Sequence, residues 1–238
     1  MIGRDVKVTW YGHGTWGWTS PGGVRILVDP FLTDNPSTPD TLKRPDTDLI
    51  LVTHGHGDHV GDVVAVAART GAPVLAPVEV GDWLESQGVD GVVTFNQGGS
   101  VEQRGVRFTM TKAEHTGGLP GGAGGPALYG GEPKGYVITF ENGFRVYQSG
   151  DTDVFSDMAL IRELWAPDLA VLSIGDHFTM GPYAAAHAVR LLGVRQVLGG
   201  HWGTFPPLVG TPAALRDELA TLGVDAEVLD IAPGQTLE

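Results

Sequence analysis

Thr53-His54-Gly55-His56-Gly57-Asp58-His59 brings three imidazoles and a carboxylate into one short stretch, directly after the apolar run Leu49-Ile50-Leu51-Val52. That run has the length and composition of a buried strand. An H-x-H-x-D-H spacing of this kind gathers nitrogen and oxygen donors where a strand ends, which is how metal sites are assembled. The glycine spacers at 55 and 57 are expected to let the backbone curl so that neighbouring imidazoles converge. A single turn aims its side chains in two directions, so further ligands should come from other strand ends. Working outward, His115 follows the expected strand 106–112, Asp151 follows 144–147 and His201 follows 197–198. Each stands beside small residues at the carboxyl end of a strand, where open α/β sheets build their sites.

The hydrophobic pattern around these positions falls into two similar halves. Residues 6–10 and 24–28 alternate around Pro21-Gly22-Gly23 and read as a hairpin, and 49–52 follows as a buried strand. Helices are then expected at 60–69 and 78–87, on either side of a short strand at 74–76. The second half opens with strands at 92–95, 101–103, 106–112, 136–140 and 144–147, the last two joined through Asn142-Gly143. It closes with helices at 155–165, 183–192 and 212–222, interleaved with strands at 169–173, 197–198 and 227–229. Eight glycines in the nineteen residues 116–134 mark a long loop. Two facing sheets with helices outside bury both apolar faces, so the expected class is α/β, a four-layer αβ/βα sandwich formed by one domain over 1–238.

Composition narrows the partners. The 238 residues carry 28 acids against 15 bases, a net charge of −13, and no basic cluster longer than Lys43-Arg44. The footprint of a nucleic-acid-binding protein is missing. Without cysteine there is no disulfide framework, zinc ribbon or thiol nucleophile, so any metal must sit among nitrogen and oxygen donors. No apolar run approaches the roughly 20 residues of a membrane span, and the first five residues offer no apolar signal segment. These features point to a cytoplasmic protein. Ser149 and Ser173 lack the G-x-S-x-G setting of a serine nucleophile.

The order H-x-H-x-D-H, His, Asp, His resembles the metallo-β-lactamase-fold hydrolases. The branch nearest in pattern contains uncharacterised bacterial metal-dependent hydrolases related to ascorbate-phosphate lactonases. Asp29-Pro30-Phe31-Leu32, Phe178-Thr179-Met180-Gly181-Pro182 and the run His201-Trp202-Gly203-Thr204-Phe205-Pro206-Pro207 carry the likeness over nearly the whole chain. The resemblance implies a first metal on His54, His56 and His115, a second on Asp58, His59 and His201, and Asp151 bridging both. Asp29 takes the part of an acid that orients a ligand histidine. It also implies two divalent ions, with Zn2+ favoured and Mn2+, Fe2+ or Ni2+ accommodated by such donors, and a bridging water acidified toward neutrality as the nucleophile.

Asp58 and Asp151 are therefore candidate catalytic residues, together with His177, which could protonate a leaving group. His13 sits in a turn that resembles a family loop near the pocket, whereas His187, among alanines, reads as a packed helix residue. The expected substrate is a small, anionic ester, lactone or phosphodiester, and the family tends toward homo-oligomers. An RNA or nucleotide phosphodiesterase is disfavoured by the lack of a basic groove. A diiron redox enzyme is disfavoured because such relatives carry an acid where His56 stands. A metal-binding protein without catalysis is disfavoured by the full ligand set.

Overall fold

The computed structural model describes residues 2–3, 5–122 and 125–238. Met1 and Arg4 of the amino-terminal segment, and Ala123 and Gly124 of the glycine-rich stretch, lie outside the described residues. The first half contains β1 (Lys7–Gly12), β2 (Thr15–Thr19), β3 (Arg25–Val28), β4 (Leu49–Leu51), α1 (Gly57–Val60), α2 (Val63–Thr70), β5 (Val74–Pro77), α3 (Val78–Ser86) and β6 (Val92–Phe95). Then come β7 (Ser100–Gln103), β8 (Val106–Lys112), β9 (Gly118–Leu119), β10 (Leu128–Tyr129), β11 (Lys134–Thr139) and β12 (Arg145–Gln148). The chain continues through α4 (Met158–Trp165), β13 (Leu169–Ser173), α5 (Pro182–Leu192), β14 (Gln196–Gly200), α6 (Pro212–Leu222), β15 (Glu227–Val228) and β16 (Thr236–Leu237).

Two seven-stranded mixed sheets face each other, ordered β16-β1-β2-β3-β4-β5-β6 and β15-β14-β13-β12-β11-β8-β7. The period-2 alternation of the strands explains the layering. Ile26 and Val28 of β3, Leu49 and Leu51 of β4, Tyr136 and Ile138 of β11, and Leu169 and Val171 of β13 fill the space between the sheets. Their neighbours point the other way. Leu27, Ile50 and Val74 pack under α2 and α3, and Val137, Ala170 and Val197 pack under α4, α5 and α6. The result is the four-layer sandwich expected from the sequence. Strands β3 to β6 run parallel, as do β12 to β15, so the carboxyl ends of each set open along one edge.

Three expectations need correction. The hairpin read between 6–10 and 24–28 does not form, because β2 lies between the two strands and pairs antiparallel with both. The proposed turn at 21–23 instead joins β2 to β3. The helix expected at 60–69 is broken into α1 and α2 around Gly61-Asp62, where the buried Asp62 carboxylate accepts from Leu32 N (2.6 Å) and Thr33 N (3.0 Å). The glycine-rich stretch is not wholly irregular, since β9 and β10 pair antiparallel within it.

A surface contact ties β3 to the entry of β4. The Asp48 carboxylate accepts from the Arg25 backbone N–H (2.9 Å) and from its Nε and Nη2 (3.0 Å each). The guanidinium hydrogen bonds and the backbone N–H hold its carboxyl down at about 2. A depressed carboxyl stabilises above its ordinary range and loses that contribution as pH falls through the folded value. Asp48→Asn should therefore cost up to about 1 kcal/mol at pH 7. Urea titrations of variant and parent should converge as pH drops toward 2; an equal gap at both pH values would contradict the ion-pair origin.

Candidate metal centre

The strand ends, with the short helix α1, bring the candidate side chains to one edge of the sandwich. Asp29 follows β3, Thr53 to His56 follow β4, Asp58 and His59 lie on α1, and His115 follows β8. Asp151 follows β12, Ser173 ends β13 and His201 follows β14 directly. The β1–β2 turn adds His13. His13, Asp29 and His201 hold left-handed backbone, with φ of +54°, +47° and +58°. Such conformations are uncommon for non-glycine residues and persist where the surroundings impose them.

The glycine spacers act differently from the expectation of a curled backbone, since neither Gly55 nor Gly57 has positive φ. Gly55 is needed for close approach: a Cβ there would stand 2.6 Å from Leu119 Cδ2. Gly57 faces open space and begins α1. It is the start of that helix that separates the aims of His54 and His56 from those of Asp58 and His59.

Hydrogen bonds fix the imidazoles. Asp29 Oδ1 accepts from Thr53 N (2.7 Å), and its Oδ2 accepts from Thr53 Oγ1 (2.6 Å) and from His59 Nδ1 (2.9 Å). With its proton given to Asp29, the Thr53 hydroxyl oxygen accepts from His54 Nδ1 (2.9 Å). In its neutral form each histidine is thus left with its lone pair on Nε2, aimed away from these partners. Although Asp29 also lies near His54 and His59 as a group able to hold a cation, its oxygens are occupied by these donors. Asp29 thus fixes His59 directly and His54 through Thr53, which is compatible with the orienting part that the resemblance implied for it.

Two sets of donors converge at the edge, His54 with His56 and His115, and His13 with Asp58, His59 and His201. Within each set the ligand atoms lie within 4.8 Å of one another. Asp151 Oδ2 stands 3.1 Å from His201 Nε2, 3.3 Å from His59 Nε2 and 3.8 Å from His115 Nε2. Ser173 Oγ shares its one proton between the carbonyl oxygen of Gly150 (2.9 Å) and the other oxygen of the carboxylate, Asp151 Oδ1 (3.0 Å). This positioning part of Ser173 escaped the sequence, which offers only a lone serine at a strand end.

The residues fit a metal. His54 Nε2 and His56 Nδ1 face each other at 3.0 Å, while His56 Nε2 lies toward Thr116 Oγ1 (3.4 Å). With a lone pair on His54 Nε2, this contact is a hydrogen bond when His56 carries its proton on Nδ1, and two lone pairs open to one cation when it does not. His201 Nδ1 is buried without a hydrogen-bond partner among the described residues, while His59 Nε2 and His201 Nε2 both aim at one carboxylate oxygen, Asp151 Oδ2, without hydrogen-bond alignment, an arrangement that an ion between them would satisfy. Burial lowers the pKa of His54, His56 and His115, keeping them neutral and ready to ligate. At His201 burial opposes the charge, but the Asp151 and Asp58 carboxylates outweigh it and hold the imidazole up at about 9. His59 is raised in the same way by Asp151, Asp29 and Asp58. Against the cost of burial, Asp151 is held well below its ordinary range by His201 and His59.

The remaining histidines separate clearly. His177 is exposed, at φ +60°, and packs edge-on against Phe178; the structure does not bring it into either donor set. Its loop is nonetheless anchored beside the centre, Met180 N donating to the carbonyl of Thr152 at 3.2 Å. His187 is half-buried on α5 against Tyr183 and Arg190, as expected of a packed helix residue. His13 is buried and stands in the second set.

Comparison with known proteins shows the family. Residues 24–202 match the beta-lactamase superfamily domain. A UPF0173 metal-dependent hydrolase of Rubrobacter xylanophilus is 49% identical over 238 residues, covering 100% of this chain and 98% of that protein. A relative of the same name in Roseiflexus is 42% identical, covering 99% of this chain and 98% of its own. Among solved structures, Igni18, a metallo hydrolase from the archaeon Ignicoccus hospitalis, superposes with a TM-score of 0.85 at 33% identity, covering 98% of this chain and 97% of its own. With a family model matched over most of its length and relatives this similar end to end, the chain belongs to the UPF0173 metal-dependent hydrolases of the beta-lactamase superfamily.

Proposed function

We propose that the protein is a dinuclear metal hydrolase acting on a small anionic ester, lactone or phosphodiester, with zinc the favoured ion. The observation that carries this reading is Asp151 Oδ2, a carboxylate oxygen within 4 Å of His115 on one side and of His59 and His201 on the other. Five imidazoles with two carboxylates suit zinc among the divalent ions. When bound, two such ions would acidify a water and polarise the carbonyl or phosphoryl oxygen under attack.

The chain's own residues do the arranging. Asp29 and Thr53 lock His54 and His59 with Nε2 outward, and Ser173 holds Asp151 by one oxygen so that the other faces the histidines. Two divalent ions against Asp58 and Asp151 leave about +2 at the centre, which favours a negatively charged substrate despite the acidic surface. A cleft of about 510 Å³ opens at His115 and is walled by Gly118, Leu128 and Tyr129 of the β9–β10 arm. That volume lies within the usual range of small-molecule pockets.

The test is a screen of zinc-loaded protein against lactones, phosphodiesters, carboxylic esters and thioesters. Turnover of at least one class, abolished by a chelator and restored by metal, is expected. Full metal loading with no turnover on any class would favour metal binding without hydrolysis.

A further inference from the structure

We infer that His13 is a ligand of the second metal position, its Nε2 joining Asp58, His59 and His201. This rests on the two-ion reading above and adds a donor that the motif does not contain. Four observations carry it. His13 Nε2 lies 2.9 Å from Asp58 Oδ2, and that same oxygen lies 3.5 Å from His201 Nε2. Donors that share one ion of zinc's size stand roughly 3–4 Å apart. The His13 ring lies beside that of His201, with centroids 3.8 Å apart.

The turn is also built to place this ring. Its carbonyl accepts from Trp10 Nε1 (3.0 Å) and from His201 N (2.9 Å), which ties it to the loop carrying His201. Beside it, a Cβ on Gly14 would fall 2.8 Å from His59 Cε1, so only glycine lets the turn close over His59.

With His13 included, the two positions match. His54, His56 and His115 serve one, and His13, His59 and His201 serve the other, with Asp58 beside the second and Asp151 between them. Without it the second ion has two imidazoles against three.

His13→Gln separates ligation from a simpler part. The glutamine amide reaches as far as Nε2 and donates to Asp58, but is a poor zinc ligand. Wild type and variant are dialysed against buffers of graded free Zn2+ and metal per chain is counted. Wild type should hold two ions, and the variant should fill its second position only at free Zn2+ at least about tenfold higher. Outer partners of metal ligands already cost 10–100-fold in affinity, so a ligand should cost no less. Two ions bound with unchanged affinity in His13→Gln would overturn the assignment and show that His13 only donates to Asp58. A wild type holding a single ion would instead overturn the two-ion reading, whatever the variant does.

Should the variant not fold, X-ray absorption or diffraction on the zinc-loaded wild type decides. Nε2 at about 2.0–2.1 Å from an ion supports the inference, and Nε2 outside bonding distance of any ion overturns it.

Discussion

Asp151→Asn should lose one ion and at least about 100-fold in turnover, since changes even to the outer partners of metal ligands cost 10–100-fold. The substitution keeps the size of the side chain and an oxygen able to accept from Ser173 Oγ. What it removes is the negative charge lying 3.1 Å from His201 and 3.3 Å from His59. In the two-ion reading the same charge offsets both cations, so at least one of them should bind far more weakly. His187→Ala, on the outer helix α5, serves as the control and should retain both ions and near-normal turnover. Metal content per chain measured alongside turnover checks the expectation. Two ions with near-normal turnover in the asparagine variant would show that Asp151 is not shared.

Removal of metal should lower stability as well as activity. The donors come from strands in both sheets, and without ions they leave His54, His59, His201 and Asp151 buried against one another. A ligand present at a thousand times its dissociation constant stabilises the folded state by about 4 kcal/mol. For a chain of this size each kcal/mol moves the melting temperature by about 2–4 °C. Chelated protein should therefore melt roughly 10 °C or more below the loaded form, and added zinc should restore the difference. Equal melting temperatures would mean that the cluster does not clamp the strands through a metal.

The histidine turn was legible because its donors are local, lying on one strand end and the short helix after it. His115, Asp151 and His201 could be found because each follows an apolar strand at its carboxyl end, a position that pattern alone reveals. The parts of His13 and Ser173 could not be read in this way. Each depends on a carboxylate distant in sequence, Asp58 for His13 and Asp151 for Ser173, brought close only by the assembled sheets. Strand β2 was hidden for a related reason. In Thr15-Trp16-Gly17-Trp18-Thr19 both tryptophans point into the inter-sheet core, but the glycine between them weakens the strand signal. The layering was legible throughout, because period-2 alternation along most strands separates the inter-sheet core from the helix-covered faces.

The central claim is that residues from both sheets hold two divalent ions at one edge of the sandwich. Anomalous diffraction at the zinc edge, from crystals of the zinc-loaded protein, tests it most directly. Two peaks about 3.5–4 Å apart are expected, one among His54, His56 and His115 and the other among Asp58, His59 and His201, with Asp151 in contact with both. A single peak, or two peaks with Asp151 touching only one, would contradict it.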